Sequence, residues 1–285
     1  MSSHQTHEEN DTSYWDRLHG FIRTSKGGWV IGEAIYNQGF SMMEELVGKA
    51  SFFQVLVLNA TGRLPKRRLA DWLEAYFICL SWPDARIWCN QIGSLAGTMG
   101  ATPVAAVTAG ILAADSRMYG PGTAVAATDF IALALAKKEE GMTAAGIVEE
   151  HRQRFGSPPK IAGFARPVAR GDERVFAMEQ VTTALQFTRG EHMNLAYEIE
   201  EVLANTYDER MNIAGYRSAF LSDQGFTSQE VYRILSTAVH SGVIACYAEA
   251  ADLPRESFFP LRCNDIDYRG PGPRPFPRSP RGTHE

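Results

Sequence analysis

Residues 87–114 read IWCNQIGSLAGTMGATPVAAVTAGILAA, without one charged side chain. By length alone the run would span a bilayer. Asn90, Gln91, the threonines, the glycines and Pro103, with few large aliphatic side chains, argue instead for buried helices of a soluble protein. Pro103 divides the run, because its ring suits the first turn of a helix and not the interior, and Thr102 before it offers an N-cap hydroxyl. Gly93, Gly97, Ala101, Ala105, Ala109 and Ala113 recur at every fourth position, which lets helix backbones approach closely and pack ridge into groove. Two consecutive close-packed helices are expected, at the centre of a bundle or at a homodimer seam over 93–114. A tight core with no interface is the alternative.

Working outward, the pattern stays helical. SFFQVLVLNATG predicts a helix ending at Gly62, and Leu69, Trp72, Leu73, Tyr76 and Phe77 sit at 3–4 spacing on an amphipathic helix. Ser41 with Glu44 three residues later reads as a capping box that opens another helix. Helices are also expected near 123–138 and 142–155, in a long segment after the loop of 157–175 up to about Arg189, near 191–205 and 208–221, and from Ser228 to Ala251. Only Gly27 to Phe40 looks like a short hairpin. The class is therefore all-α, with a short N-terminal hairpin.

Composition narrows the function classes. A net charge of -5 and a pI near 5.9 leave no basic footprint for nucleic acid and no polybasic membrane patch. Cys79, Cys89, Cys246 and Cys263 form neither a CxxC nor a Cys/His spacing, so no metal site is expected and the cysteines read as reduced. The polar, acidic MSSHQTHEENDTSYW start carries no export signal, and the expected location is the cytoplasm.

Several segments, in order, resemble the citrate synthase and citryl-CoA lyase family. IYNQGFSMMEELVGKASFFQVLVLNATGRLP (35–65) is similar to its N-terminal signature. The helices of 93–114 are similar to those of its dimer interface, and Tyr119-Gly120-Pro121 to its Gly-Pro-Leu-His-Gly-Gly loop. Ala162-Gly163-Phe164-Ala165-Arg166, with Arg170 and Asp172-Glu173-Arg174, resembles its Pro-Gly-Phe-Gly-His loop and following Asp-Pro-Arg. Asn212 to Phe226 and 236–249 are similar to its last two active-site segments.

The resemblance implies a citrate synthase-like helical fold: a large domain (14–160 and 206–268), a small domain (161–205) around the loop, a disordered start (1–13) and a Pro/Arg-rich tail (269–285). It also implies a coenzyme A thioester as substrate or ligand, with Gly163, Phe164 and Arg170 on the coenzyme and Arg166, Arg174, Arg262 and His240 on substrate. Arginines suit that task because the guanidinium fork matches phosphates and carboxylates and stays charged.

The departures concern chemistry. In this alignment Thr123 or Gly122 stands for the loop histidine, Arg166 for the second histidine, Ala214 for the catalytic aspartate and Val239 for a substrate arginine. An alanine cannot abstract a proton, and the family reaction requires a base and placed hydrogen-bond donors. Thr123 and Tyr216 are the candidate donors, and Asp84 the candidate base. Two readings stay open: an enzyme with altered chemistry on a non-standard acyl or carboxylate substrate, and a catalytically silent homologue that binds a CoA ester as regulator or scaffold.

Overall fold

The computed structural model describes residues 11–116, 119–164, 171–258, 260 and 262–276. The N-terminal segment forms α1 (Ser13–Leu18) and the expected hairpin, β1 (Gly27–Val30) and β2 (Ala34–Asn37), extended to a third antiparallel strand by β3 (Phe40–Ser41). The remaining elements are helical: α2 (Phe52–Thr61), α3 (Arg67–Cys79), α4 (Trp88–Thr98), α5 (Pro103–Ala114), α6 (Gly122–Glu139) and α7 (Ala144–Phe155). They continue through α8 (Glu173–Ala184), α9 (Glu191–Tyr207), α10 (Ile213–Asp223), α11 (Ser228–Leu235) and α12 (His240–Asp252).

Four boundaries differ from expectation, each for a local reason. The segment after Ser41 is a single π-turn (Met42–Leu46), with Val47 N–H donating to Met42 O; Glu45, not Glu44, reaches back to the Ser41 N–H. The helix after the loop stops at Ala184 because Gln186 turns left-handed, at φ 57°. Asp208, also at φ 57°, ends α9, and Asn212 then caps a later start for α10. The expected Ser228–Ala251 helix breaks at 236–239 into α11 and α12. Ser228–Asp252 is apolar and long enough to cross a membrane by length and composition, and 44% of its apolar window is buried inside the fold.

The stripe on α3 is buried as its spacing predicts. Trp72, at its centre, stacks on Phe220 of α10 with ring centroids 3.9 Å apart. Leu195, Ile199 and Leu203 of α9 and Ile234 and Leu235 of α11 complete this main core. Burying each such side chain contributes about 1.5–3 kcal/mol. A smaller cluster of Cys89, Ala114, Val239 and Val243 joins α4, α5 and α12.

Thr102 caps α5 by accepting from Ala105 N–H, as its place before Pro103 predicts. The small-residue stripe, however, divides. Gly93 and Gly97 lie against the backbone of α12, where an added Cβ would come within 2.8 Å of Val243 O and 2.6 Å of Tyr247 O. Ala105, Ala109 and Ala113 instead face outward, while Ala106, Gly110 and Ala114 turn inward. With Val104 76% and Leu112 70% exposed, α5 presents an uncharged, largely apolar face to solvent, on which Thr108 is also exposed.

Candidate functional site

Asn212 organises the junction at which the candidate residues Gly163, Phe164 and Arg174 meet the first turn of α10. Its Oδ1 accepts from Ala214 N–H (2.9 Å) and Gly215 N–H (3.2 Å), capping α10, while its own N–H donates to Gly163 O (3.0 Å). Next to it, Phe164 is buried and pairs with Met211 in an isolated antiparallel bridge. The loop thus reaches the first turn of α10 through backbone contacts that a side chain at Gly163 would obstruct.

Asp172 ties a third element to the junction. Its side chain is fully buried, accepts from Arg174 Nε and Nη2 at 2.7 Å each, and takes Ile213 N–H at 2.9 Å. Burial alone would raise the Asp172 carboxyl; the hydrogen bonds and charge of Arg174, with the Ile213 and Arg174 N–H groups, outweigh it and hold the carboxyl below its ordinary value. Arg174 is therefore committed to an internal pair, and its guanidinium is 26% exposed.

Two buried residues that the sequence reading passed over complete the arrangement. Tyr76, on α3, is 2% exposed, and its hydroxyl makes no hydrogen bond among the described residues. Burial pushes its phenol up, against the opposing positive fields of Arg217 and Arg174. Arg217, on α10, is also 2% exposed; its Cζ lies 5.8 Å from the Tyr76 ring centroid. Arg217 Nη2 donates to Ala214 O (3.2 Å) and Ser218 Oγ (3.1 Å), and its Nε has no partner. Burial and the neighbouring Cys89 thiol raise the Tyr119 phenol, which also feels Arg174 and Tyr76.

The other candidates lie elsewhere or are engaged. Thr123 Oγ1 donates to Gly120 O at 2.8 Å at the start of α6. Tyr216 is buried, with its hydroxyl donating to Thr182 Oγ1 at 2.9 Å. Asp84 accepts a forked pair from Arg86, whose Nη2 is 2.6 Å away, and is held below its ordinary value first by that hydrogen bond. His240 opens α12 with Nδ1 2.6 Å from Thr237 O, and Arg262 is exposed with its N–H on Asp265 Oδ2. None of Thr123, Asp84, His240 and Arg262 hydrogen-bonds to the junction among the described residues. Arg166 and Arg170 lie outside the described residues.

A cleft of about 440 Å³ borders the same loop, lined among others by Gly171, Asp172, Met211, Glu179, Tyr197 and Glu200. Glu179 accepts from the Tyr197 hydroxyl, and burial raises the Glu200 carboxyl. Asp208 and Arg210 also line the cleft, so its lining carries charges of both signs.

Solved structures supply the comparison. Citryl-CoA lyase from Hydrogenobacter thermophilus is similar with a TM-score of 0.77 at 23% identity, covering 90% of this chain and 97% of that one. The chain has the citrate synthase-like fold. Citrate synthase from Thermotoga maritima is similar at a TM-score of 0.58 and 17% identity, over 79% of this chain and 59% of that one. ATP citrate lyase from Methanothrix soehngenii, solved with citrate and coenzyme A, matches at 0.72 and 17% identity over 94% of this chain, which spans only 45% of that longer protein. The sequence matches no protein-family model and no curated protein.

Within this citrate synthase-like fold the first turn of α10 holds no carboxylate. Ala214 is half-buried and carries only a methyl group. Arg217 was legible in one respect: its α10 neighbours three and four positions away are Ile213, Ala214, Phe220 and Leu221, so no acid on its own helix can pair with it. Tyr76 gave no such signal, because an aromatic residue on an apolar stripe is ordinary core.

Proposed function

We propose that the chain is a cytoplasmic CoA-thioester enzyme of the citrate synthase or citryl-CoA lyase type, with altered chemistry on a non-standard acyl or carboxylate substrate. It makes or breaks a carbon–carbon bond, or transfers the acyl group. The observation that carries this reading is the likeness over 97% of the length of citryl-CoA lyase. The tight docking of the Gly163-Phe164 loop on the first turn of α10 supports it, because a thioester site requires its walls preorganised. Ala214 cannot supply the base that ordinary condensation needs, so the chemistry must differ from that of the parent reaction.

A second reading, a silent homologue that binds a CoA ester as regulator or scaffold, is favoured by one observation. The hydroxyls of Thr123 and Tyr216 and the carboxylate of Asp84 are all occupied by internal partners. Thermal-shift measurements with CoA, acetyl-CoA and larger acyl-CoA esters test the shared premise, since a ligand at about a hundred times its dissociation constant adds about 2.7 kcal/mol to the folded state. A stabilising ester that is turned over supports the enzyme. Stabilisation without turnover, across a range of carboxylate and keto-acid co-substrates, supports the silent binder. No stabilisation by any ester rejects both.

The same proposal includes a homodimer that buries the outward face of α5. Its support is the uncharged, largely apolar face of Val104, Ala105, Ala109, Leu112 and Ala113 on one exposed helix, with Thr108 as the polar residue among them.

A further inference from the structure

Arg217 presents an unresolved electrostatic problem. A guanidinium that is 2% exposed must leave water, and folds ordinarily tolerate that only when a carboxylate or a full set of acceptors receives it. Among the described residues no acidic side chain pairs with it, two neutral oxygens take one nitrogen, and Nε has none. Asp172, the acid of the adjoining junction, is already held by Arg174 and the Ile213 N–H. The Tyr76 hydroxyl, across the ring that Arg217 faces, also lacks a partner among the described residues. The fold thus sets an incompletely satisfied guanidinium beside the ring of a buried tyrosine.

We propose that Arg217, assisted by Tyr76, receives the distal carboxylate of a short dicarboxylic acyl group, so that the substrate is the CoA thioester of a dicarboxylic acid. This rests on the reading of the first turn of α10 as part of the thioester site. Arg217 lies one turn after Ala214 and grips the Ala214 carbonyl, which places the guanidinium just beneath a half-buried residue of that turn. Side chains three apart on a helix lie about 5–6 Å from each other. That separation suits a carboxylate carried a few bonds beyond the thioester carbon. A planar guanidinium can hold both carboxylate oxygens, which an ammonium cannot do with the same geometry.

The test compares succinyl-CoA with acetyl-CoA on the full chain and on Arg217→Met, which keeps an unbranched apolar stem and removes the charge. Wild type is expected to bind succinyl-CoA about tenfold or more tighter than acetyl-CoA, the size of one hydrogen bond to a charged group. Arg217→Met is expected to bind the two esters alike, and to melt no lower than wild type without ligand, because it relieves an unpaired buried charge. If Arg217→Met fails to fold, Arg217→Lys replaces it, with an intermediate preference expected. Equal binding of both esters by wild type, or an undiminished preference in the variant, overturns the inference while leaving the thioester reading intact. If neither ester binds wild type, the thioester reading itself has failed and this inference falls with it.

Discussion

Gly163 and Gly215 meet backbone to backbone: a Cβ on Gly215 would lie 2.2 Å from Gly163 O, and one on Gly163 would lie 2.7 Å from Gly215 Cα. Gly163 also adopts φ +94°, a conformation that side chains resist. The loop therefore docks on α10 only because both residues lack side chains. Gly215→Ala is expected to push the loop outward, at a cost of about 1–3 kcal/mol typical of overpacking. A lower melting temperature and a weaker CoA-ester shift would be seen together. A variant as stable as wild type would show that the loop is held by other contacts.

Asp172 makes the junction sensitive to acid. Its folded carboxyl titrates below the ordinary 3.8, so the unfolded chain takes up the proton more readily. The stability it contributes is fully present above that value and is lost as pH falls through the lower folded value. Asp172→Asn, which weakens charged hydrogen bonds to Arg174, should cost about 2 kcal/mol at neutral pH. Denaturant midpoints at pH 7 and pH 3 check this. The gap between the two proteins should narrow at pH 3, and a constant gap would remove Asp172 from the acid response.

Thr182 serves three partners at once. Its hydroxyl accepts from Trp72 Nε1 (2.8 Å) and Tyr216 Oη (2.9 Å), and donates to Met178 O (2.7 Å). Thr182→Val keeps the shape, removes the acceptor of Trp72 Nε1 and leaves the Tyr216 hydroxyl only the longer contact to Met178 O (3.4 Å), at about 2–4 kcal/mol. Thr182→Ser, which keeps the hydroxyl, should cost less than half as much. Urea denaturation of the two variants makes the comparison. Equal losses would assign the effect to packing of the methyl group rather than to the hydroxyl.

These relationships explain what could be read in advance. Pro103 and Thr102, Gly62, and the Leu69–Phe77 stripe act through neighbours within a turn, so the helices they define are visible in the chain itself. The order of motif-like segments was enough to anticipate the fold. The site was legible only where function depends on residue type. Gly163 and Phe164 stood out in a motif, and the absence of a carboxylate at Ala214 was evident. Tyr216 was noticed, yet its partner Thr182 lies on another helix, and the sequence carries no trace of that pairing. Arg174 suggested a ligand contact, whereas the fold commits it to Asp172. Tyr76 and Arg217 became meaningful only when α3 and α10 brought a phenol and a guanidinium into one buried space. The alanine stripe hid a similar ambiguity, since small residues serve a neighbouring helix and a second subunit equally well.

That ambiguity supplies the final prediction. Gly93 and Gly97 are used within the chain, against α12, whereas Ala109 lies in the middle of the exposed face of α5. If two copies pair through that face, the small side chains allow close helix approach and the flanking Val104 and Leu112 leave water on association. Ala109→Glu would then set two like charges near the two-fold axis in an apolar seam, a penalty of several kcal/mol. On a free surface the same substitution should change stability by no more than about 0.5 kcal/mol. Light scattering across a dilution series is expected to show a wild-type dimer and a monomeric, folded Ala109→Glu variant. A wild-type monomer, or a variant that dimerises as tightly as wild type, would leave the face of α5 without this partner.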